Sequence, residues 1–228
     1  MANNMSIGVI IGNRDFFPDS LVAACRTEVL STLEEHGINA ILLDTDKTKM
    51  GGVESFRDAS ICAQLFKQHQ DTIAGVIVIL PNFGDERGIA ETLKLANLDV
   101  PVLVQAYPDD LDKLDVARRR DAWCGKISVC NNLYQYGIKY SLTSKHVVHP
   151  KDPSFSTDLK QFIGVCRVVK GLRNMRIGAI GARPGGFNTV RYSEKILQRH
   201  GITVVTTDLS EILGQANRLH HTDPIVKD

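Results

Sequence analysis

Apolar residues along the chain fall into short solid runs separated by longer stretches of helical period. Residues 6–12 (SIGVIIG) form the first run, rich in Ile and Val and closed by Gly. Such a run reads as a parallel strand buried on both faces. Leu21, Val22, Cys25, Val29 and Leu33 then recur at helical spacing, opened by Pro18 and Asp19, with Gly37 at the C-cap position. Further strands are predicted over 38–43, 75–80 (GVIVIL) and 100–105 (VPVLVQ), with helices over 53–69 and 85–98 between them. Strands alternating with helices at this interval predict right-handed βαβ units and a parallel sheet of at least four strands over 6–105, covered on both faces. Ligands of such sheets bind beyond the carboxyl ends of the strands. A site is therefore expected among segments 13–18, 44–52, 81–84 and 106–110.

Residues 118–138 read as a helix with Trp123, Ile127, Cys130, Leu133 and Tyr134 on its apolar side. A loop or short edge strand is expected over 141–153, and an amphipathic helix over 155–172. The pattern then restarts, with a strand over 175–181 (MRIGAIG), a helix over 187–200, a strand over 202–206 and a helix over 209–219. The expected organisation is an α/β domain over 1–172, built on a doubly wound, Rossmann-like parallel sheet, followed by the start of a second α/β domain over 173–228. Two strands do not make an independently stable sheet. The second domain is thus expected to be incomplete, its apolar strands partly uncovered or paired with another copy of the chain.

Composition narrows the function classes. Of 228 residues, 27 are Lys or Arg and 26 Asp or Glu, a formal net charge of +1. Nucleic-acid binding needs a surplus of cations to displace counterions, so no nucleic-acid partner is expected. No apolar run approaches the roughly 20 residues that span a bilayer, and residues 1–6 lack the charged and apolar regions of a signal peptide. Five scattered cysteines are poor material for a disulfide framework and fit a reducing cytoplasm.

Two loops after predicted strands carry candidate chemistry: Asn13-Arg14-Asp15 and Pro81-Asn82-Phe83-Gly84. An amide such as Asn82 suits sugar hydroxyls, and a ring such as Phe83 suits the apolar face of a sugar; ordinary turn chemistry explains the same residues. The loop from Gly181 to Thr189 (GARPGGFNT) follows a strand and opens a helix. Its free N–H groups, with Arg183, suit an anionic or polyhydroxyl ligand, while a tight turn needing glycine conformations is the plain reading. It matches neither a dinucleotide fingerprint nor a P-loop. His146, His149 and Asp152 lie close together, but no second ligand cluster supports a metal, and they read as a solvated loop. His220-His221 read as a solvated tail, and Cys124 and Cys130 as helix packing.

More specific are the segments WCGKISVCNNL (123–133), FIGVCRVVKGL (162–172), RIGAIGARP (176–184) and FNTVRYSEK (187–195), above all the run GARPGGFNTVRYSEK (181–195). Together they resemble the L-fucose isomerase-like family, in its amino-terminal part. The resemblance implies an aldose–ketose isomerase that moves a proton between C1 and C2 through an enediol, with a divalent metal, typically manganese, polarising the oxygens. It also implies that the manganese ligands, carboxylates and a histidine, lie outside this chain, and that this chain alone is inactive. It further implies a homo-oligomer in which the first domain caps a neighbouring subunit's active site. On that basis Arg14, Asn82 and Phe83 are candidate sugar contacts, and Arg183 and Asn188 candidates for lining the cleft from the second domain. The competing expectation is a stand-alone sugar-binding or assembly module without catalysis. Coding sequence beyond Asp228 that supplied two carboxylates and a histidine would separate the two.

Overall fold

The computed structural model describes residues 6–227. The chain divides into two compact units, one ending at Arg167 and the other beginning at Val168. The first unit holds strands β1 (Ser6–Ile11), β2 (Asn39–Ile41), β3 (Ile73–Leu80), β4 (Val102–Ala106) and β5 (Ser141–Leu142). They form one sheet in the order β2-β1-β3-β4-β5, with every pairing parallel. Helices α1 (Ser20–Glu35), α2 (Phe56–Gln68), α3 (Glu86–Ala96), α4 (Ala122–Gln135) and α5 (Pro153–Leu172) supply the crossovers and cover.

The apolar runs explain why both faces are covered. In β1, Ile7, Val9 and Ile11 point to one face and Ile10 to the other; in β3, Ile77 and Ile79 oppose Val76, Val78 and Leu80. One face packs on α1 and α5 through Val22, Val29, Leu33, Phe155 and Phe162. The other packs on α2, α3 and α4 through Phe66, Ile89, Val129 and Leu133. Every residue of β1 and β3 is buried. At about 1.5–3 kcal/mol for each large side chain taken from water, these two strands are the energetic centre of the unit.

Several elements differ from the periodic reading. Val53 is not helical; its N–H donates to Ile11 O and its carbonyl accepts from Asn13 N, extending the sheet edge beside β1. The helix begins at Phe56 because the Ser55 side chain accepts the N–H of Asp58. Helix α4 starts at Ala122, behind Asp121 in the left-handed conformation. Segment 141–153 does contribute a two-residue edge strand, β5.

The second unit holds β6 (Arg176–Ile180) and β7 (Thr203–Thr207), a two-stranded parallel sheet, with α6 (Glu194–Arg199), α7 (Leu209–Ala216) and α8 (Pro224–Lys227). The predicted helix over 187–200 is instead a short 3-10 turn, Asn188–Val190, an extended Arg191, and α6 behind Ser193. Ile177 is 41% and Val205 38% exposed, where the corresponding positions of β1 and β3 are closed. Apolar side chains of both strands are thus exposed.

Candidate functional site at the sheet switch point

The chain runs outward from β1 to β2, then returns to β3 and proceeds to β4 and β5. The reversal leaves a crevice between the carboxyl ends of β1 and β3, the position at which sheets of this order bind ligands. The loops bounding it carry Asn13 and Arg14 on one side and Asn82 and Phe83 on the other.

Asn82 is fully buried and Asn13 is 1% exposed. The Asn82 amide donates to Asn13 Oδ1 at 2.7 Å, while its own oxygen accepts the N–H of Gly84 at 3.0 Å. The Asn13 amide donates to Glu54 Oε2 at 2.6 Å and to Asp19 Oδ1 at 3.2 Å. This network joins the loops across the crevice and leaves Asn82 beneath the surface. Lys49 closes it from outside, 3.0 Å from Asp19 and 3.9 Å from Glu54. The hydrogen bond to Asp19 raises the Lys49 pKa, and desolvation raises that of Glu54.

Arg14 and Phe83 form the upper layer. The Arg14 guanidinium lies 4.5 Å above the Phe83 ring and 2.5 Å from Glu86 Oε2, with Asp85 at 3.9 Å. Phe17 stacks on Phe83 with centroids 6.2 Å apart, and Arg119 lies 5.5 Å over Phe17. Beyond β4, Tyr107 is buried and donates its hydroxyl to Glu28 at 2.8 Å. Burial is the first cause of its raised pKa. Arg120 sits 4.8 Å over the Tyr107 ring and donates to Pro81 O at 2.9 Å. The arrangement offers a half-buried aromatic face, a guanidinium with N–H groups to spare, and a rim of carboxylates that can accept from hydroxyls.

The fold thus brings Arg14, Asn82 and Phe83 together. Arg183 and Asn188 belong to the second unit. There Arg183 donates to the carbonyls of Pro184, Gly185 and Phe187, pinning its own loop, and Asn188 begins an exposed 3-10 turn. Glu54, Asp19 and Glu86 escaped the sequence reading. They are separated from their partners by up to 72 residues, and no local spacing marks them.

A family model described as the fucose/sulfoquinovose isomerase N-terminal domain matches residues 8–173. The chain belongs to this family. The match spans the sheet of the first unit from Gly8 onward and its switch-point loops, and the family is one of sugar isomerases. No curated protein matches the chain. The manganese that the resemblance implies does not fit the residues present: among the described residues, no three His, Cys, Asp or Glu side chains are grouped to hold a metal ion. His146 packs on Trp123, His149 faces Glu28, and Asp152 pairs with Lys145. No described helix is long and apolar enough to cross a membrane.

Proposed function

We propose that this chain supplies the sugar-contacting amino-terminal part of a metal-dependent aldose–ketose isomerase. The observation that carries the reading is the Arg14–Phe83 stack at the switch point, inside the segment that the family model matches. Phe83, partly exposed beside Arg14 and Phe17, offers the uncovered part of its ring to the apolar face of a sugar, and Arg14 donates to its hydroxyls. Asn82 supports them from below by holding the two loops together. Six carboxylates at the rim (Asp15, Asp19, Glu54, Asp85, Glu86, Asp121) face four cations (Arg14, Lys49, Arg119, Arg120). That excess of negative charge favours a neutral sugar over a sulfonated or phosphorylated one. Manganese chemistry and the proton transfer between C1 and C2 fall to residues outside this chain. In this reading a cytoplasmic homo-oligomer brings the two together.

Saturation-transfer NMR with L-fucose and the purified chain tests the reading. Binding is expected to weaken about tenfold or more in Arg14→Ala and in Phe83→Ala, the scale of losing one charged hydrogen bond or one stacking face. No conversion to the ketose is expected when manganese is added. Binding that survives both substitutions together, or metal-dependent turnover by this chain, defeats the proposal.

A further inference from the structure

The first turn of α4 lies directly against the back of the Pro81–Gly84 loop. A Cβ added to Gly125 would overlap the Phe83 carbonyl and stand 2.6 Å from Phe83 Cα, closer than real side chains come. Gly125 is buried, and its φ is not positive, so conformational freedom does not explain it. Glycine inside a helix costs about 1 kcal/mol relative to alanine. Here that cost gives the Phe83 backbone room. The loop is held from a second direction by Arg120, whose guanidinium donates to Pro81 O while resting on Tyr107. Tyr107 cannot yield, because it is buried and its hydroxyl is fixed on Glu28. Asp121, between the two, donates its N–H to Asp109 Oδ1 at 2.9 Å, which anchors the start of α4.

We propose that Gly125 and Arg120 are positioning residues for Phe83. Gly125 sets how deeply the Phe83 backbone sits, Arg120 sets the height of the loop at Pro81, and together they fix the tilt of the ring toward the crevice. They thereby determine which face of a sugar the ring accepts. The inference rests on the reading of Phe83 as a sugar platform. It goes beyond that reading in assigning the platform's geometry to residues that touch no ligand.

The experiment uses the full chain with 13C-labelled phenylalanine, the Phe83 signal being assigned by its loss in Phe83→Leu. Gly125→Ala is expected to shift the Phe83 signal and that of its stacking neighbour Phe17. It is also expected to weaken L-fucose binding about tenfold or more, as small misplacements of a contacting group do. Gly164→Ala is the control, since a Cβ at Gly164 meets open space; it leaves both signals in place. Arg120→Ala moves the same signals, and Arg120→Lys, which keeps a donor for the Pro81 carbonyl, recovers part of the shift. If Gly125→Ala does not fold, the two Arg120 variants carry the comparison. Phe83 signals that stay put in a folded Gly125→Ala or Arg120→Ala protein overturn the proposal, as does a shift that Arg120→Lys leaves unreduced. If the unaltered chain binds no L-fucose, the platform reading fails, and the Phe83 shifts still decide the positioning.

Discussion

At the scale of single residues, the most consequential polar group away from the switch point is Lys126. It is 2% exposed, and its ammonium donates to Thr143 Oγ1 and to His146 O, each at 2.8 Å. Burial lowers its pKa from 10.5 to about 8, opposed by the nearby Cys130 and Asp158. A lysine whose pKa is lower in the folded state binds its proton more weakly there than in the unfolded chain. The stability linked to Lys126 is therefore present in full above its unfolded pKa and is lost as pH falls toward the folded value. The free energy of unfolding should rise between about pH 8 and 10.5 relative to that of Lys126→Met. Urea titrations of both proteins across that interval measure it; parallel curves would mean that Lys126 is not desolvated.

Among elements, α5 packs tightly on β3 at Gly75. A Cβ at Gly75 would stand 2.5 Å from Cys166 Sγ and 2.9 Å from the Phe162 ring. Neither neighbour can swing aside, because Cys166 is fully buried and Phe162 is 4% exposed. Overfilling a packed site costs about 1–3 kcal/mol. Gly75→Ala should therefore lower the denaturant midpoint, whereas Gly171→Ala, with nothing near its added Cβ, should not. Equal midpoints for the two variants would show that α5 can shift along β3.

For the whole molecule, the contrast lies between the two units. β3 is buried along its entire length, while β6 and β7 contain no fully buried residue. Opening free energy follows buried apolar contact and hydrogen-bond shielding. Hydrogen exchange at Ile177, Ala179 and Val204 should therefore be much faster than at Val76 and Val78 in a monomeric sample. Equal protection would mean that the second unit is a complete, stable domain as it stands.

The sequence by itself determined the parallel α/β class of the first unit. Solid runs such as GVIVIL tolerate burial on both faces and no other arrangement so readily. It also located the two site loops, because a strand's end is visible where the apolar run stops at Asn13 and at Pro81. The family was legible in contiguous segments such as WCGKISVCNNL and FIGVCRVVKGL, which lie inside the matched residues 8–173, whereas GARPGGFNTVRYSEK lies beyond them. What periodicity missed was decided by neighbours distant in the chain. Val53 joined the sheet because β2 pairs only with Ser6–Gly8 and leaves the carboxyl end of β1 open on that side, and Arg183 turned its guanidinium onto its own loop. The strand order that creates the switch point emerged only from pairing, since βαβ units of the same appearance can be laid to either side. The tertiary structure alone set Asn82 beneath Phe83, paired Asn13 with Glu54, and pressed Gly125 against the platform. These contacts are short-range in space and long-range in sequence, and hydrogen bonding and exclusion act only on groups that folding has already brought within a few ångströms.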